Sequence, residues 1–481
     1  MRWKTTLALL LVTAGIGAYI SLYEIRQPSS DERRQQAKRV LTIEESAVAQ
    51  LTLDMPQTKL TFTRSGPEWR IVPTGARADA ARLTTLLTRL RTLTANRILT
   101  ATPEHPLDLK RLGLQPAVGS VEALAQGTPI TLLIGNATPV KGHRYAKVTG
   151  GAEVFVIAEG LFDDANQPTE RFRDPLLIRV DPWQTAEVRL TTSDYTIALT
   201  HHGDGEAWQI TQPLSDRAEG AAVTGLLNRL GELTIKRFVD DAPQVEQLST
   251  WGFDHPQMDI TVQPRGSAAH PVTIFFGQPL PDDASLRYAK RYDEPGLYAV
   301  AAAEVDALRL PLDDVRLKSG FEIVTSQVTK IEVKREGAAW TMANVNGSWQ
   351  VDGADHTILD APRVEEFLEQ VAALRVDGFV EEARADPSRE GLEPQANVLS
   401  IWTSKPPAPP QRLIVGAALT GSAQRYGRIE GRAATVILPG TVSDLLATTP
   451  ERLRAPASAA PAQARATSSP ARPHPAASNS R

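Results

Sequence analysis

The side chains that could bind a metal or move a proton are few, and they do not converge in the sequence. The chain has eight histidines, and none lies in an HExxH or HxH arrangement that would bind zinc. The nearest approach is His201-His202-x-Asp204, which falls on a turn between two predicted strands and is interpreted as a solvated loop. Four aspartate pairs also occur, but neighbours on a strand point to opposite faces, so we interpret them as turn and cap residues. They are Asp163-Asp164, Asp240-Asp241, Asp282-Asp283 and Asp313-Asp314.

The sequence contains no motif of a nucleophilic enzyme or of a nucleotide-binding site. GxSxG, a Walker loop and a glycine-rich fingerprint after a strand are all missing. The absence of cysteine excludes disulfides, thiolate metal sites, a cysteine nucleophile and a lipidated N-terminal cysteine. We therefore predict a protein that is not an enzyme and that has no catalytic residue, no cofactor and no metal.

One polar pattern recurs, a strand that reads Arg-Tyr-Ala-Lys in its first copy. Alternation puts Arg144 and Ala146 on one face and Tyr145 and Lys147 on the other, so an aromatic ring and a basic group share a side. Three such strands could line a groove for an anionic glycan, a lipid headgroup or an acidic partner. Cross-strand tyrosine packing with a snorkelling lysine explains the same pattern. The candidate surface residues are Arg144, Tyr145, Lys147, Arg287, Tyr288, Lys290, Arg425, Tyr426 and Arg428.

These strands belong to a repeat that occurs three times. Each copy has, in the same order, a tryptophan strand, an apolar helix, a glycine turn followed by proline, a strand ending in glycine and the Arg-Tyr strand. The tryptophans are Trp69, Trp208 and Trp349, and the turn glycines are Gly113, Gly252 and Gly391, spaced by 139 residues. Five landmarks in register predict three homologous units, and a chain of 481 residues at roughly 150 per domain agrees with that number.

Each unit is predicted to be α+β. Alternating segments such as 59–64 and 330–335 predict a half-exposed antiparallel meander, and Asn346-Gly347 is a strong hairpin turn. One amphipathic helix follows in each unit, with Asp79 and Asp360 near two of the helix starts. The predicted fold is three tandem units, each a mainly antiparallel sheet with one main helix, after an N-terminal transmembrane helix. The apolar stripes are Leu83, Leu86, Leu87, Leu90 and Leu93; Val223, Leu226, Leu227, Leu230 and Leu233; and Val364, Phe367, Leu368, Val371 and Leu374.

The N-terminus predicts a membrane location. A basic start, Met1-Arg2-Trp3-Lys4, precedes the uncharged residues 5–23, whose length as a helix nearly matches a hydrocarbon thickness of about 30 Å. The segment is longer than a cleavable apolar core of about 7–15 residues. We therefore predict a retained, single-pass inner-membrane anchor with the bulk of the chain in the periplasm. Cleavage after the small residues 15–18, which would release a soluble protein, is the alternative.

The predicted organisation combines these features. It comprises a membrane anchor (1–25), a polar spacer (26–49), repeat units at 50–177, 178–320 and 321–454, and a basic tail (455–481). The tail is rich in proline, alanine and serine, cannot build a core, and is predicted to be disordered. The net charge of −4 favours neither nucleic acid nor an acidic partner, and no nucleic acid is expected.

Six features in combination resemble the domain-of-unknown-function 4340 family. They are the basic start into one membrane segment, the tryptophan strand, the Leu-Leu helix, the Gly-Leu-x-Pro turn, the Ile-Gly strand and the Arg-Tyr-Ala-Lys strand. The resemblance covers roughly Arg2 to Arg454. The third unit departs from it, with Gln424-Arg425-Tyr426-Gly427-Arg428 and a proline-rich insertion at 404–410. The resemblance implies a bacterial envelope protein with one N-terminal membrane segment, often encoded beside ABC-type transporters of the gliding-motility class, and it offers no catalytic residues.

The residues and the resemblance together lead us to expect a membrane-anchored, extracytoplasmic binding or scaffold protein that is accessory to an ABC-type transport system. The expected partners are the inner membrane, ABC-type transporter subunits, and an anionic glycan or lipid. Two alternatives stay open: an envelope enzyme that acts on glycan or lipid, and a secreted periplasmic ligand-binding protein.

Overall fold

The computed structural model describes residues 3, 38–102, 106–203, 206–266, 270–353, 357–380, 385–395, 397–404 and 409–454. The predicted anchor at 5–23, the first half of the spacer (26–37), and the tail from 455 onwards lie outside these residues. Within the described chain, no helix is both long enough and apolar enough to cross a membrane. The anchor and the tail therefore stay predictions.

Three antiparallel sheets form the frame of the molecule. The first sheet consists of β1 (Val48–Asp54), β2 (Lys59–Ser65), β3 (Glu68–Val72), β4 (Arg97–Leu99), β5 (Gly119–Ala125), β6 (Thr128–Ala137), β7 (His143–Val148) and β8 (Val154–Ala158). The second consists of β9 (Thr185–Thr192), β10 (Thr196–Thr200), β11 (Gln209–Gln212), β12 (Asp216–Arg217), β13 (Ile235–Asp240), β14 (Met258–Pro264), β15 (Val272–Pro279), β16 (Leu286–Arg291) and β17 (Leu297–Ala301). The third consists of β18 (Val328–Arg335), β19 (Ala338–Val345), β20 (Ser348–Val351), β21 (Gly378–Phe379), β22 (Asn397–Thr403), β23 (Gln411–Ala418), β24 (Arg425–Ile429) and β25 (Thr435–Leu438).

The three sheets share one strand order, to which the second sheet adds the edge strand β12. The first runs β3-β2-β1-β5-β6-β7-β8-β4, the second β12-β11-β10-β9-β14-β15-β16-β17-β13 and the third β20-β19-β18-β22-β23-β24-β25-β21. The strand that follows the main helix, β4, β13 or β21, therefore always lies at the far edge of its sheet. The sequence patterns above do not predict β5, β14 and β22, each of which pairs with the first strand of its sheet. The prediction of a mainly antiparallel α+β fold with three sheets is confirmed.

One long helix packs on each sheet, as the sequence predicts. The main helices are Ala80–Thr92, Gly220–Glu232 and Ala361–Ala372. All fifteen residues of the predicted apolar stripes are buried. Asp79 caps the first main helix, because its carboxylate accepts hydrogen bonds from the backbone N–H groups of Ala81 and Arg82. Asp360 directly precedes the third main helix, near whose start the sequence places it, but its side chain makes no capping hydrogen bond. Shorter α-helices are Gly160–Ala165, Ala302–Asp306, Leu312–Val315 and Val442–Ala447, and 3-10 helices are Glu45–Ala47, Thr169–Phe172, Pro182–Gln184, Val245–Gln247 and Thr325–Gln327.

The described chain groups into two compact bodies. The first contains residues up to 206 and 223–310, and the second contains residues 207–222 and those from 311 onwards. In the first body, a large core joins the helix stripe of the first sheet to rings such as Phe62 and Phe172, whose centroids lie 5.8 Å apart. In the second, the stripe of the third main helix packs with Met342, Trp349 and Val436.

The predicted glycine turn is held against the neighbouring strand in every sheet. Gly113, Gly252 and Gly391 all have positive φ, at 67°, 81° and 70°, which favours glycine. The residue before each of them accepts a backbone hydrogen bond from the strand: Asn136 donates to Leu112 at 2.9 Å, Gln278 to Trp251 at 2.9 Å and Ala417 to Glu390 at 2.7 Å. The preceding strand residues, Gly135, Gly277 and Gly416, have no room for a Cβ, which would collide with the same carbonyl oxygen. Glycine therefore serves on both facing segments: it gives the turn its positive φ, and it leaves room in the strand for the carbonyl oxygen of the turn.

We expect Gly277→Ala to destabilise the second sheet by about 1–3 kcal/mol, because the added methyl group forces the Trp251 carbonyl away from the strand. Urea unfolding followed by tryptophan fluorescence measures the loss. Gly220→Ala is the matched control, because a Cβ at Gly220 meets open space and its φ is not positive. Equal unfolding midpoints for the two variants would contradict the close contact.

Candidate functional site

The arginines of the Arg-Tyr strands are used by the fold. The guanidinium groups of Arg144, Arg287 and Arg425 donate to the carbonyl oxygens of Gly135, Gly277 and Gly416, at 3.2, 3.2 and 2.9 Å. Arg144 also pairs with Glu159 at 3.0 Å and stacks on Phe162, with the guanidinium carbon 3.7 Å from the ring centroid. The arginine in each copy therefore ties its strand to the glycine contact.

The basic residues three positions later hold a neighbouring hairpin or turn. Lys147 donates to the carbonyl oxygen of Gly151. Lys290 donates to the carbonyl oxygens of Glu294 at 2.6 Å and Pro295 at 3.1 Å, and burial lowers its pKa. In the third sheet, Arg428 pairs with Glu393 at 3.6 Å. Lys147 and Lys290 therefore hold the loops that follow their own strands, β7–β8 and β16–β17. Arg428 links β24 to the glycine turn.

The tyrosines have different surroundings in the three copies. Tyr288 is buried against Trp251, with ring centroids 6.0 Å apart, in a small cluster that also contains Leu280 and Leu286. Tyr145 and Tyr426 are only half-buried. The predicted candidate surface is thus divided: its arginines and lysines support the sheets, whereas Tyr145 and Tyr426 remain partly accessible.

Tyr145 lies in a groove beside the edge strand β4. The groove has a volume of about 420 Å³ and is named here the β4 groove; its lining residues are Asn96, Arg97, Leu99, Thr138, Pro139, Val140, His143, Tyr145 and Val156. None of these nine residues is acidic. The loop on one side is held by internal hydrogen bonds, from Thr138 N to His143 O at 2.9 Å and from Thr138 Oγ1 to Val140 O at 2.7 Å. The groove therefore combines an exposed arginine, an aromatic ring and aliphatic walls.

The same place in the second sheet is filled. The backbone bond from Leu280 N to Leu286 O, 3.0 Å long, corresponds to the bond from Thr138 to His143, so Leu280 and Leu286 stand where the first sheet has Thr138 and His143. Arg237 matches Arg97, because they pair with the matching edge residues Ala299 and Val156. Arg237 Nη1 lies 2.7 Å from Asp282 Oδ2, a bond that raises the pKa of Arg237 and lowers that of Asp282.

The third sheet has neither an arginine nor a carboxylate pair at this place. Gly378 takes the register position of Arg97, since it pairs with Ile437 at the edge of the sheet. The loop bond runs from Leu419 N to Gln424 O at 2.9 Å, and the Gln424 side chain donates to Asp377 at 2.6 Å. Three copies of one frame thus present three different surfaces.

A buried cluster of charges, not predicted from the sequence, lies within the first body. Arg77 pairs with Asp174 and Glu294, both at 2.9 Å, and donates to two backbone carbonyls at 2.8 Å. Arg291 lies 3.7 Å from the other oxygen of Glu294, to which Tyr298 donates at 3.1 Å. Burial raises the pKa of Tyr298, so the phenol stays protonated and serves as a donor. Every carboxylate here faces a guanidinium, and the arrangement fastens the first sheet to the second.

A second buried cluster lies within the second body. Asp216 accepts bonds from Arg316 at 2.9 Å and from two nitrogens of Arg432 at 2.9 and 3.0 Å. The Arg316 guanidinium stacks on Phe379 at 3.9 Å, as Arg173 stacks on Phe238 at 4.0 Å in the first body. Burial acts to raise the pKa of Asp216, but the bonds and charge of Arg432, with help from Arg316, hold it below its ordinary value.

No group of three or more histidine, aspartate or glutamate side chains in the described part of the chain could hold a metal. The His201 ring bonds the carbonyl oxygen of Glu206 at 2.8 Å and contacts Arg265. Asp204, the third member of the His201-His202-x-Asp204 pattern, lies outside the described residues.

Comparison with known proteins finds one family. The sequence profile described as "Domain of unknown function (DUF4340)" matches residues 69–207 and again residues 208–395. None of the curated proteins matches the chain. Among solved structures, the crystal structure of a putative DNA polymerase III beta subunit from Eubacterium rectale aligns over 84% of this chain and 94% of that chain, at 8% identity and a TM-score of 0.17. A likeness that low carries no argument.

We expect Glu294→Gln to cost about 3–5 kcal/mol, because it removes the buried charge that faces Arg77 and Arg291. Calorimetric melting of the full chain measures the loss. Glu68→Gln is the control, since Glu68 is exposed and its pair with Arg70 is worth at most about 1 kcal/mol. Similar melting temperatures for both variants would mean that the buried cluster does not stabilise the fold.

The depressed pKa of Asp216 predicts a pH dependence. A carboxyl whose folded pKa is lowered contributes stability that is complete above its unfolded pKa of about 3.9 and is lost as the pH falls through the folded value. Wild type should therefore exceed Asp216→Asn in stability by about 3–5 kcal/mol at pH 6, and the difference should narrow towards pH 3.

Urea unfolding at both pH values tests this expectation. The control is Asp313→Asn, at an exposed aspartate in the same body, which should differ little from wild type at either pH. If the stability deficit of Asp216→Asn stays constant between pH 6 and pH 3, the charge of Asp216 is not what stabilises the second buried cluster.

Proposed function

This chain belongs to the family described as Domain of unknown function (DUF4340), and from that premise we propose that it is a membrane-anchored, extracytoplasmic binding or scaffold protein, accessory to an ABC-type transport system. In this proposal the apolar residues 5–23 hold the chain in the inner membrane and the three sheets stand in the periplasm. The partners are transporter subunits, and the sheets supply the surfaces that bind them.

The observation that carries the proposal is how the recurrent polar residues are used. In all three sheets the arginine of the Arg-Tyr strand donates to a glycine carbonyl, so the polar groups that repeat maintain the frame. The groups that differ lie at the edge-strand groove, where Arg97, Arg237 and Gly378 share one register position. A constant sheet framework with variable edge grooves suits a protein that presents several different binding surfaces.

The proposed location is supported by the sequence of the N-terminus. Nineteen residues without a charge follow two basic residues, and such a segment is long enough to span the hydrocarbon core of a bilayer. The link to an ABC-type transporter is supported by the family resemblance, which implies genes that neighbour such transporters.

We expect the full-length protein, tagged at its C-terminus and crosslinked in its membrane, to recover ABC-type transporter subunits in detergent. Mass spectrometry should also find its N-terminal peptide with residues 1–23 intact. Loss of these residues, with a mature N-terminus near Tyr19 and no partner, would replace this proposal with the secreted ligand-binding alternative.

A paired variant tests the anchor itself. Leu10→Arg combined with Leu11→Arg places two charges in the apolar segment, each costing about 2.5–3.5 kcal/mol at the centre of a membrane helix. This variant should be lost from the membrane fraction and should recover no transporter. Leu10→Ala with Leu11→Ala keeps the segment apolar and should behave as wild type. Retention of the arginine variant after carbonate extraction would argue against this anchor.

A further inference from the structure

The β4 groove has a filled counterpart in the same chain, which shows what its surface can bind. In the second sheet, Leu280 packs beside Tyr288, and Asp282, two residues later, bonds Arg237 at 2.7 Å. One short segment thus supplies an apolar side chain for the tyrosine and a carboxylate for the arginine.

The first sheet has the same tyrosine and arginine but lacks the apolar side chain and the carboxylate that contact them in the second sheet. Tyr145 and Arg97 stand at the positions of Tyr288 and Arg237. Where the second sheet has Leu280 and Asp282, the first has Thr138 and Val140. Tyr145 is half-buried beside the shorter Thr138, and Val140, whose surface is 68% exposed, brings no charge to the arginine.

Arg97 is exposed and has no acidic partner among the described residues. An exposed guanidinium and a carboxylate attract each other only weakly in water. The aliphatic walls of Leu99, Val140 and Val156 add apolar contact beside the charge, so a ligand with both kinds of group gains from each.

The position of β4 favours an extended polypeptide as the ligand. β4 is the terminal strand of its sheet, and extended segments bind at sheet edges, where alternate side chains enter neighbouring pockets. The filler in the second sheet is itself a polypeptide segment, Leu280-Pro281-Asp282, with the apolar and acidic residues two positions apart.

We propose that the β4 groove binds a segment of a protein partner in which an apolar side chain precedes an aspartate or glutamate by two residues. The carboxylate of the ligand pairs with Arg97, and its apolar side chain packs against Tyr145, next to Thr138. This inference rests on the proposed binding function and identifies one surface through which it acts.

The probe is a fluorescein-labelled peptide with the sequence of residues 279–283, Pro-Leu-Pro-Asp-Asp, measured by fluorescence polarisation against the detergent-solubilised full chain. Arg97→Ala should weaken binding roughly three- to tenfold, since it removes the charge pair. Val140→Asp should weaken it to a similar degree, because it places a carboxylate where the second sheet has Asp282. Val140→Asn, of the same size without the charge, is the matched control and should bind as wild type.

Two further ligands test the chemistry. A peptide with asparagine in place of both aspartates should bind several-fold more weakly, and one with serine in place of leucine should do the same. Equal binding of all three peptides, or binding unchanged by Arg97→Ala, would overturn the proposal. So would binding of vesicles containing phosphatidylglycerol that is lost in Arg97→Ala while no peptide binds, because the groove would then take a lipid headgroup.

The pull-down described above separates this inference from the proposed function. If Val140→Asp and Arg97→Ala still recover transporter subunits and no peptide binds, the function stands and the groove inference fails. If the peptide binds as expected and wild type recovers no transporter, the groove inference stands and the accessory role fails.

Discussion

The frame of each sheet depends on the close contact between a strand glycine and the carbonyl group of the glycine turn. The strand must lack a side chain there, and the turn must adopt a positive φ to bring its carbonyl close. The arginine of the next strand then bonds the carbonyl oxygen of the strand glycine itself. Strand, turn and Arg-Tyr strand are thereby fixed together, and the edge groove takes its shape from their positions.

The parts of this fold that were predictable follow from local periodicity and turn chemistry. The helix stripes were visible because burial on one face imposes a 3.6-residue period, and the glycine turns because few residues tolerate positive φ. The strand β14 alternates cleanly and could have been predicted from Met258, Ile260 and Val262. The strand β22 could not, because its central residues are buried in succession and show no two-residue period.

The long-range polar contacts were beyond local patterns. Arg77 meets Asp174 and Glu294, which lie about 100 and more than 200 residues further along the chain, and nothing near any of them marks the pairing. The structural role of Arg144, Arg287 and Arg425 could not be predicted either, because the sequence does not distinguish an arginine that bonds a backbone carbonyl from one that binds a ligand. The β4 groove, by contrast, can be read from the sequence once the copies are aligned, since Thr138 replaces Leu280 and Val140 replaces Asp282.

The two buried clusters have opposite charges at equivalent positions of the repeat. In the first, a positive group before the main helix, Arg77, meets a negative group in the loop before β17, Glu294. In the second, the negative Asp216 before the next main helix meets the positive Arg432 in the loop before β25. The copies are therefore not interchangeable modules. Deleting the middle copy, or recombining its gene segment with a neighbour, would replace the pair of Arg77 and Glu294 with two arginines, Arg77 and Arg432, and would leave Asp174 to face both. The charges of the two buried clusters therefore match only when the copies occur in this number and order.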